Sequence, residues 1–272
     1  MKFIFGAFNI LKIGHLLLYN ECKKKEEVFK MAVYVMSDIH GEYEKFIEVL
    51  EKIALKDSDK LYILGDTMDR GSHPMKVLLK MMQMPNVIPI IGNHEVMFME
   101  CMPFLMGEIT KESLEALDEL DAEILDKILT WQYNGFLPTI KEFRGLDTEK
   151  QKDVLDYVGE FTAYEEVTVN RVNYLLVHAG LGNFSPEKEL DDYTLDELVW
   201  ERADYEMKYF EDTVIVTGHT PTQLIYDNPR KGYIYRNNNN IAIDCGACFE
   251  NGRLAAICLD TGEEFYSSDK KL

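Results

Sequence analysis

The sequence predicts an α/β fold, with a buried parallel sheet that presents a polar site along one edge. Short, continuous apolar runs alternate with amphipathic helical stretches, the pattern of a parallel sheet. Five of these runs end in a cluster of Asp, His, Asn or Gly. A strand-rich C-terminal part supplies a second sheet.

The elements follow in order. Ala32-Val33-Tyr34-Val35-Met36 precedes Ser37-Asp38-Ile39-His40-Gly41, and Leu61-Tyr62-Ile63-Leu64 precedes Gly65-Asp66. Val87-Ile88-Pro89-Ile90-Ile91 leads into Gly92-Asn93-His94-Glu95. The pattern returns with Tyr174-Leu175-Leu176-Val177 before His178-Ala179-Gly180, and with Val214-Ile215-Val216 before Thr217-Gly218-His219. Runs of this kind read as strands buried on both faces. Helical stretches, Tyr43 to Ala54 and Met75 to Met84, separate the first three. Ligands of open α/β sheets bind beyond the carboxyl ends of the strands. The five clusters are therefore expected at one edge.

Residues 103–163 interrupt this pattern with helical sequence. Leu114, Leu117, Leu120, Ile124, Leu125 and Ile128 keep the spacing of one helix face, opposite Glu112, Glu115, Asp118, Glu119, Asp121 and Glu123. This reads as a solvated acidic helix beside the site, with a substrate-selecting cap as the alternative. After His219, Gln223 to Tyr226, Ile241 to Asp244, Leu254 to Leu259 and Glu263 to Tyr266 read as short antiparallel strands of the second sheet. Asn237 to Asn240 reads as a loop. Residues 31–272 are taken as one domain. Ahead of them, the apolar stretch from Phe3 to Tyr19 is flanked by Lys2 and by Lys23 to Lys25. It is short for a spanning helix and reads as an appendage before an alternative start at Met31, with membrane-surface contact as the weaker alternative.

Composition narrows the function. In 272 residues, 29 Lys plus Arg stand against 48 Asp plus Glu, a net charge of −19. Such a chain repels phosphate backbones, so a nucleic-acid-coating role is disfavoured. Five cysteines do not make a disulfide scaffold, and a reducing cytoplasm fits.

Four of the six histidines (His40, His94, His178, His219) sit at the strand-end clusters, with Asp38, Asp66 and Asn93 beside them. Imidazoles, carboxylates and an amide without thiolate suit divalent Mn, Fe or Zn. Six or seven ligands are too many for one ion with open positions. Two ions sharing a carboxylate would use them all.

Asp38-Ile39-His40-Gly41, Gly65-Asp66-Thr67-Met68-Asp69-Arg70-Gly71, Gly92-Asn93-His94-Glu95, His178-Ala179-Gly180 and Gly218-His219, in this order, resemble the signature of the calcineurin-like metallophosphoesterases. More narrowly they resemble the phosphoprotein phosphatases of the bacterial and phage-lambda type, over residues 32–260. The resemblance implies a β-sandwich flanked by helices (αββα). It also implies two divalent metals, Mn²⁺ first, with Fe or Zn as alternatives. Asp38, His40 and Asp66 would hold the first ion; Asp66, Asn93, His178 and His219 the second. A hydroxide between them would attack phosphorus directly. His94 would be the general acid, oriented by Asp69, whose carboxylate should favour the imidazolium. Arg70, Arg202 (in Trp200-Glu201-Arg202) and Asn93 would bind the substrate phosphate. Glu95 is expected to support the helix start.

The chain departs from the family in places. Ser37 replaces a frequent glycine, and Ile243-Asp244-Cys245-Gly246-Ala247-Cys248 stands where eukaryotic enzymes carry a Ser-Ala-Pro-Asn-Tyr-Cys loop. Cys245 and Cys248 read as ordinary small residues, not a redox or zinc pair. The implied activity is a serine/threonine protein phosphatase, acting on phosphorylated proteins or peptides and on small phosphate esters in vitro. The alternative is symmetrical diadenosine tetraphosphate hydrolysis; relatives of that type usually read Gly-Arg-Gly where this chain has Asp69-Arg70-Gly71, and so lack the carboxylate. A catalytically silent, metal-holding module is the third reading.

Overall fold

The computed structural model describes residues 31–106 and 122–268. The apolar stretch 3–19, Cys22 and the acidic helical sequence up to Asp121 lie outside the described residues.

Two five-stranded sheets stack face to face. In the first, β1 (Val33–Met36), β2 (Lys60–Leu64) and β3 (Val87–Ile90) are parallel, with Val35 opposite Tyr62 and Tyr62 opposite Ile88. Helices α1 (Tyr43–Ile53) and α2 (Pro74–Met82) make the crossovers that parallel pairing demands. In the second sheet, β5 (Val172–Val177), β6 (Thr213–Thr217) and β8 (Asn240–Ala242) are parallel. Antiparallel edge strands β4 (Tyr164–Val169) and β7 (Tyr235–Asn237) flank them.

Side chains alternate across each strand and sort into layers. Val33, Val35, Tyr62 and Leu64 meet Leu176, Val216 and Ile241 between the sheets. Met36, Leu61 and Ile63 face outward onto Phe46, Val49, Leu78 and Phe98 of the helices. Leu175, Val177 and Ile215 face the other way, onto Leu198 and Val199 of the short helix α7 (Leu195–Val199). The result is helix, sheet, sheet, helix, as the family resemblance implies.

The C-terminal strands differ from expectation. β9 (Ala255–Cys258) and β10 (Glu264–Tyr266) join the first sheet, where β9 pairs antiparallel with the free side of β1. Residues Gln223 to Tyr226 are turns and not a strand. Leu224 N–H donates to Pro221 O at 2.7 Å and Asn228 N–H to Ile225 O at 3.2 Å. Ile241 to Ala242 falls in the second sheet, but parallel to β6.

Four more helices cover the first sheet near the site: α3 (Asn93–Leu105), α4 (Ala122–Tyr133), α5 (Leu137–Arg144) and α6 (Thr148–Gly159). They are pinned through Trp131, Phe143, Val154 and Val158, all fully buried, with Phe98 edge-on to both Trp131 and Phe143. Leu125, assigned by its spacing to an apolar face, is 52% exposed instead.

Candidate metal centre and active site

The carboxyl ends of β1, β2, β3, β5 and β6 converge, and the chain turns sharply after β1, β2 and β6. Asp38, His40, Asp66, Asp69, Arg70 and His219 all have φ between 46° and 66°. This left-handed region costs an L-residue about 1–2 kcal/mol. Asp and His tolerate it better than most, and such strain gathers at functional sites. The turns are also tight. A Cβ on Gly92 would lie 2.4 Å from Asp66 Oδ1, so only glycine lets the start of α3 approach the β2 end.

Asp66 stands at the centre. Its Oδ2 is 3.5 Å from His40 Nε2 and its Oδ1 is 3.3 Å from His178 Nε2. Asn93 Oδ1 lies 3.0 Å from His178 Nε2 and 3.1 Å from His219 Nδ1. The other nitrogen of His40 donates to Met68 O at 2.9 Å, and that of His178 to Leu64 O at 2.7 Å. These bonds fix the tautomers, leaving both Nε2 atoms as lone pairs. Lone pairs therefore face an amide oxygen and, in its charged form, a carboxylate, both of which only accept. Acceptors aimed at one another repel unless a cation lies among them. Two sets have ligand atoms within 4.8 Å of one another: His40, Asp66 and His94, and Asp66, His178 and His219. The donor set fits two divalent ions that share Asp66. Asp38 is buried beside both sets but belongs to neither; its carboxylate accepts His219 N–H at 3.0 and 3.1 Å.

Burial sets the electrostatics. It pushes Asp38 and Asp66 well above the usual carboxylate range and nearby Asp244 up to about 6. It holds His40 and His178 well below the usual imidazole range and His219 down at about 4. Acids raised and bases lowered together mark a site starved of solvent. Charged carboxylates there need cations as partners.

His94 is at the edge of this cluster. Its Nδ1 is 2.6 Å from Asp69 Oδ2, and its Nε2 is 3.0 Å from Arg70 Nη2. A guanidinium only donates, so Nε2 accepts and Nδ1 carries the hydrogen. That occupies the lone pair a metal would need. Asp69 is held in turn by Trp131 Nε1–H at 2.7 Å and by the Thr139 hydroxyl. The pairing of His94 with Asp69 matches the sequence reading, but the charge state does not. Burial first, then Arg70, push His94 well below its usual range, and burial carries Asp69 up to about 7. Desolvation outweighs the favourable carboxylate.

Of the remaining predicted residues, the two arginines fall on the rim. Arg70 is exposed, and its Nε also faces Asn134 O at 3.4 Å. Arg202 is exposed, with no hydrogen bond or ion pair among the described residues, and its charge helps lower His219. Glu95 does more than start a helix. Its carboxylate accepts from Gly92 N, Asp66 N, Thr67 N and Thr67 Oγ1, at 2.8 to 2.9 Å, tying the β2 end to α3. Cys245 and Cys248 are free thiols, and burial pushes Cys248 up to about 11.

Sequence reasoning missed Trp131, Thr139 and Lys45. Lys45 is buried on α1 and donates to Ala247 O and Gly252 O at 2.7 and 2.8 Å, bracing the loop that sets Cys248 beside Arg70. Its position one turn before Val49, on the apolar face, was the available signal.

A family model for calcineurin-like phosphoesterases matches residues 31–258, and the chain belongs to that family. Over 103 residues it is 29% identical to the symmetrical bis(5'-nucleosyl)-tetraphosphatase of Salmonella paratyphi A, a match covering 37% of this chain and 36% of that protein. The chain thus spans about a third of the length of the curated relatives it matches. Among solved structures, a protein provisionally assigned as a diadenosine tetraphosphatase superposes with a TM-score of 0.58 at 17% identity, over 89% of this chain and 95% of that one. A serine/threonine phosphatase from Saccharomyces cerevisiae, similar to human phosphatase PP5, gives 0.50 at 14% identity, over 89% and 81%. These likenesses concern the fold. No helix in the described residues is long and apolar enough to cross a membrane.

Proposed function

We propose that this phosphoesterase is a phosphomonoesterase acting on phosphoserine and phosphothreonine in proteins. The observation that supports this reading is the buried pair of Asp69 and His94, buttressed by Trp131 and Thr139. An alkoxide leaving from a serine or threonine ester needs a proton, and a held imidazole can give one. A nucleotide leaving from a polyphosphate is a far weaker base and needs none.

Asp38, His40 and Asp66 would hold one divalent ion, and Asp66, Asn93, His178 and His219 the other. When bound, two such ions supply a hydroxide nucleophile at neutral pH. The chain's own residues do the rest. Arg70 and Arg202 grip the phosphoryl oxygens from two sides. Asn93, its Oδ1 turned to the histidines, keeps its amide donors for a third oxygen. A bound phosphate dianion takes up the Arg70 donors now spent on His94 Nε2 and adds negative charge beside it. Both changes raise the affinity of Nε2 for the proton that the leaving oxygen takes. Asp69 holds the Nδ1 hydrogen throughout.

The curated tetraphosphatase relatives favour a second reading, symmetrical cleavage of diadenosine tetraphosphate. The test is a paired assay on metal-stripped protein reloaded with Mn²⁺, comparing a phosphoserine peptide with diadenosine tetraphosphate. Strong phosphate release from the peptide with little dinucleotide cleavage is expected. The reverse outcome moves the substrate to nucleotides, and inactivity on both with metals bound leaves a silent module.

A further inference from the structure

We infer that the run Asn237-Asn238-Asn239-Asn240 is a positioning device for Arg202, holding the irregular segment that carries this arginine against the β7–β8 hairpin. The inference rests on the reading above that Arg202 binds the phosphoryl group.

Between α7 and β6, residues 200–212 form neither helix nor strand, so their carbonyls have no ladder to join. The four asparagine side chains take that place. Asn237 Nδ2 donates to Tyr205 O at 2.9 Å, and Asn238 Nδ2 to Glu206 O at 2.8 Å and Tyr205 O at 3.3 Å. Asn240 Nδ2 donates to Met207 O at 2.8 Å. Asn239 Nδ2 reaches Phe210 O and Glu211 O at 3.2 and 3.3 Å.

Turn chemistry explains only part of this. Asn238 and Asn239 have φ of 48° and 61° in a two-residue hairpin turn, where asparagine is favoured for its backbone alone. Asn237 and Asn240 lie outside the turn, paired across the two strands. Asn240 is 2% exposed, and burying an amide is costly unless it is bonded. Four amides in a row reaching one segment is a clamp and not a by-product of the turn.

The other side of the segment is fixed as well. A Cβ on Gly180 would lie 2.8 Å from both Ala203 N and Glu201 O, so this glycine lets the backbone around Arg202 press onto the end of β5. The Tyr205 hydroxyl bonds Thr217 Oγ1, the last residue of β6, at 2.8 Å. The stretch 201–205 is thus held between the strand ends that carry His178 and His219. The Arg202 side chain makes no bond of its own among the described residues, so the held backbone is what fixes the point from which its guanidinium reaches.

The test uses the full chain loaded with Mn²⁺, p-nitrophenyl phosphate as substrate and inorganic phosphate as competing ligand. Asn238→Gly suits the left-handed backbone and removes only the side-chain bonds. Asn240→Asp exchanges a donor for an acceptor facing a carbonyl. Each should raise KM and the phosphate Ki about three- to tenfold, the effect expected from losing one or two hydrogen bonds, with kcat within about twofold. In an Arg202→Ala background neither should add anything, the mark of residues acting through one another. An unchanged KM and Ki in Asn238→Gly overturns the inference, and so does an equal rise with and without Arg202. An unchanged Ki for Arg202→Ala alone removes that arginine from phosphate binding and the inference with it. Turnover of the phosphoserine peptide still decides the proposed function separately.

Discussion

His94 is pulled from both sides, by a carboxylate at Nδ1 and a guanidinium at Nε2, and the pull it obeys decides its chemistry. In the free protein burial and then the guanidinium prevail, holding the imidazole well below its usual range and disfavouring its charged form. A role as proton donor therefore needs the substrate's own charge to redirect Arg70. His94→Asn should keep its metals, because His94 Nε2 is engaged by Arg70. It should lose alkyl phosphate turnover by roughly 10²–10⁴-fold. Turnover of p-nitrophenyl phosphate, whose leaving group is already a weak base, should fall far less. Parallel kcat measurements on phosphoserine peptide and p-nitrophenyl phosphate check this; equal losses would remove His94 from proton transfer.

At the scale of elements, the join between the β2 end and the start of α3 holds the site together. Glu95 accepts four donors there from two different elements. Glu95→Ala leaves these donors buried and unmet, so urea unfolding should show a loss of at least about 3 kcal/mol, with Glu95→Gln closer to the parent. A loss under about 1 kcal/mol would mean water replaces the carboxylate easily. Glu95 was legible as a helix-start residue, but its bonds to the β2 end were not. The strands β1, β2, β3, β5 and β6 were legible because continuous apolar runs have few other uses. β4 escaped notice because Glu165 and Glu166 break its pattern, which an edge strand tolerates. Gln223 to Tyr226 misled because Gln-Leu-Ile-Tyr looks like a strand, while Pro221 before it and Pro229 after it confine it to turns. β9 chose its sheet by an open edge, and no local sequence encodes which edge is free. Within the site, strand-end residues announced themselves. Trp131 and Thr139 reach Asp69 from 62 and 70 residues away, and such contacts leave no spacing to read.

The proposed metal site is divided between the two sheets of the molecule. Asp38, His40, Asp66 and Asn93 follow strands of the first, and His178 and His219 follow strands of the second. Cations bound there favour the folded chain by mass action, by about 2.7 kcal/mol at a hundredfold excess over Kd. The sign of the pH effect follows from the raised carboxylates. Asp38 and Asp66 are raised well above the usual carboxylate range by burial, so protons compete with an ion for them, and nearby Asp244 is pushed up to about 6 as well. Apparent Mn²⁺ affinity should therefore climb between pH 5.5 and 7.5, about tenfold per pH unit for each proton displaced. Calorimetric titration at several pH values measures it, and a flat profile would contradict the burial argument. A site shared by both leaves of a sandwich also works as a rivet. With its cations withdrawn, lone pairs crowd one another along the seam, and the leaves lose the ties that the shared ligands supply there. Chelation should then expose the seam to a protease before the outer helices yield. In a setting where proteases clear loosened chains, metal supply would govern how much of this enzyme persists as well as how fast it works.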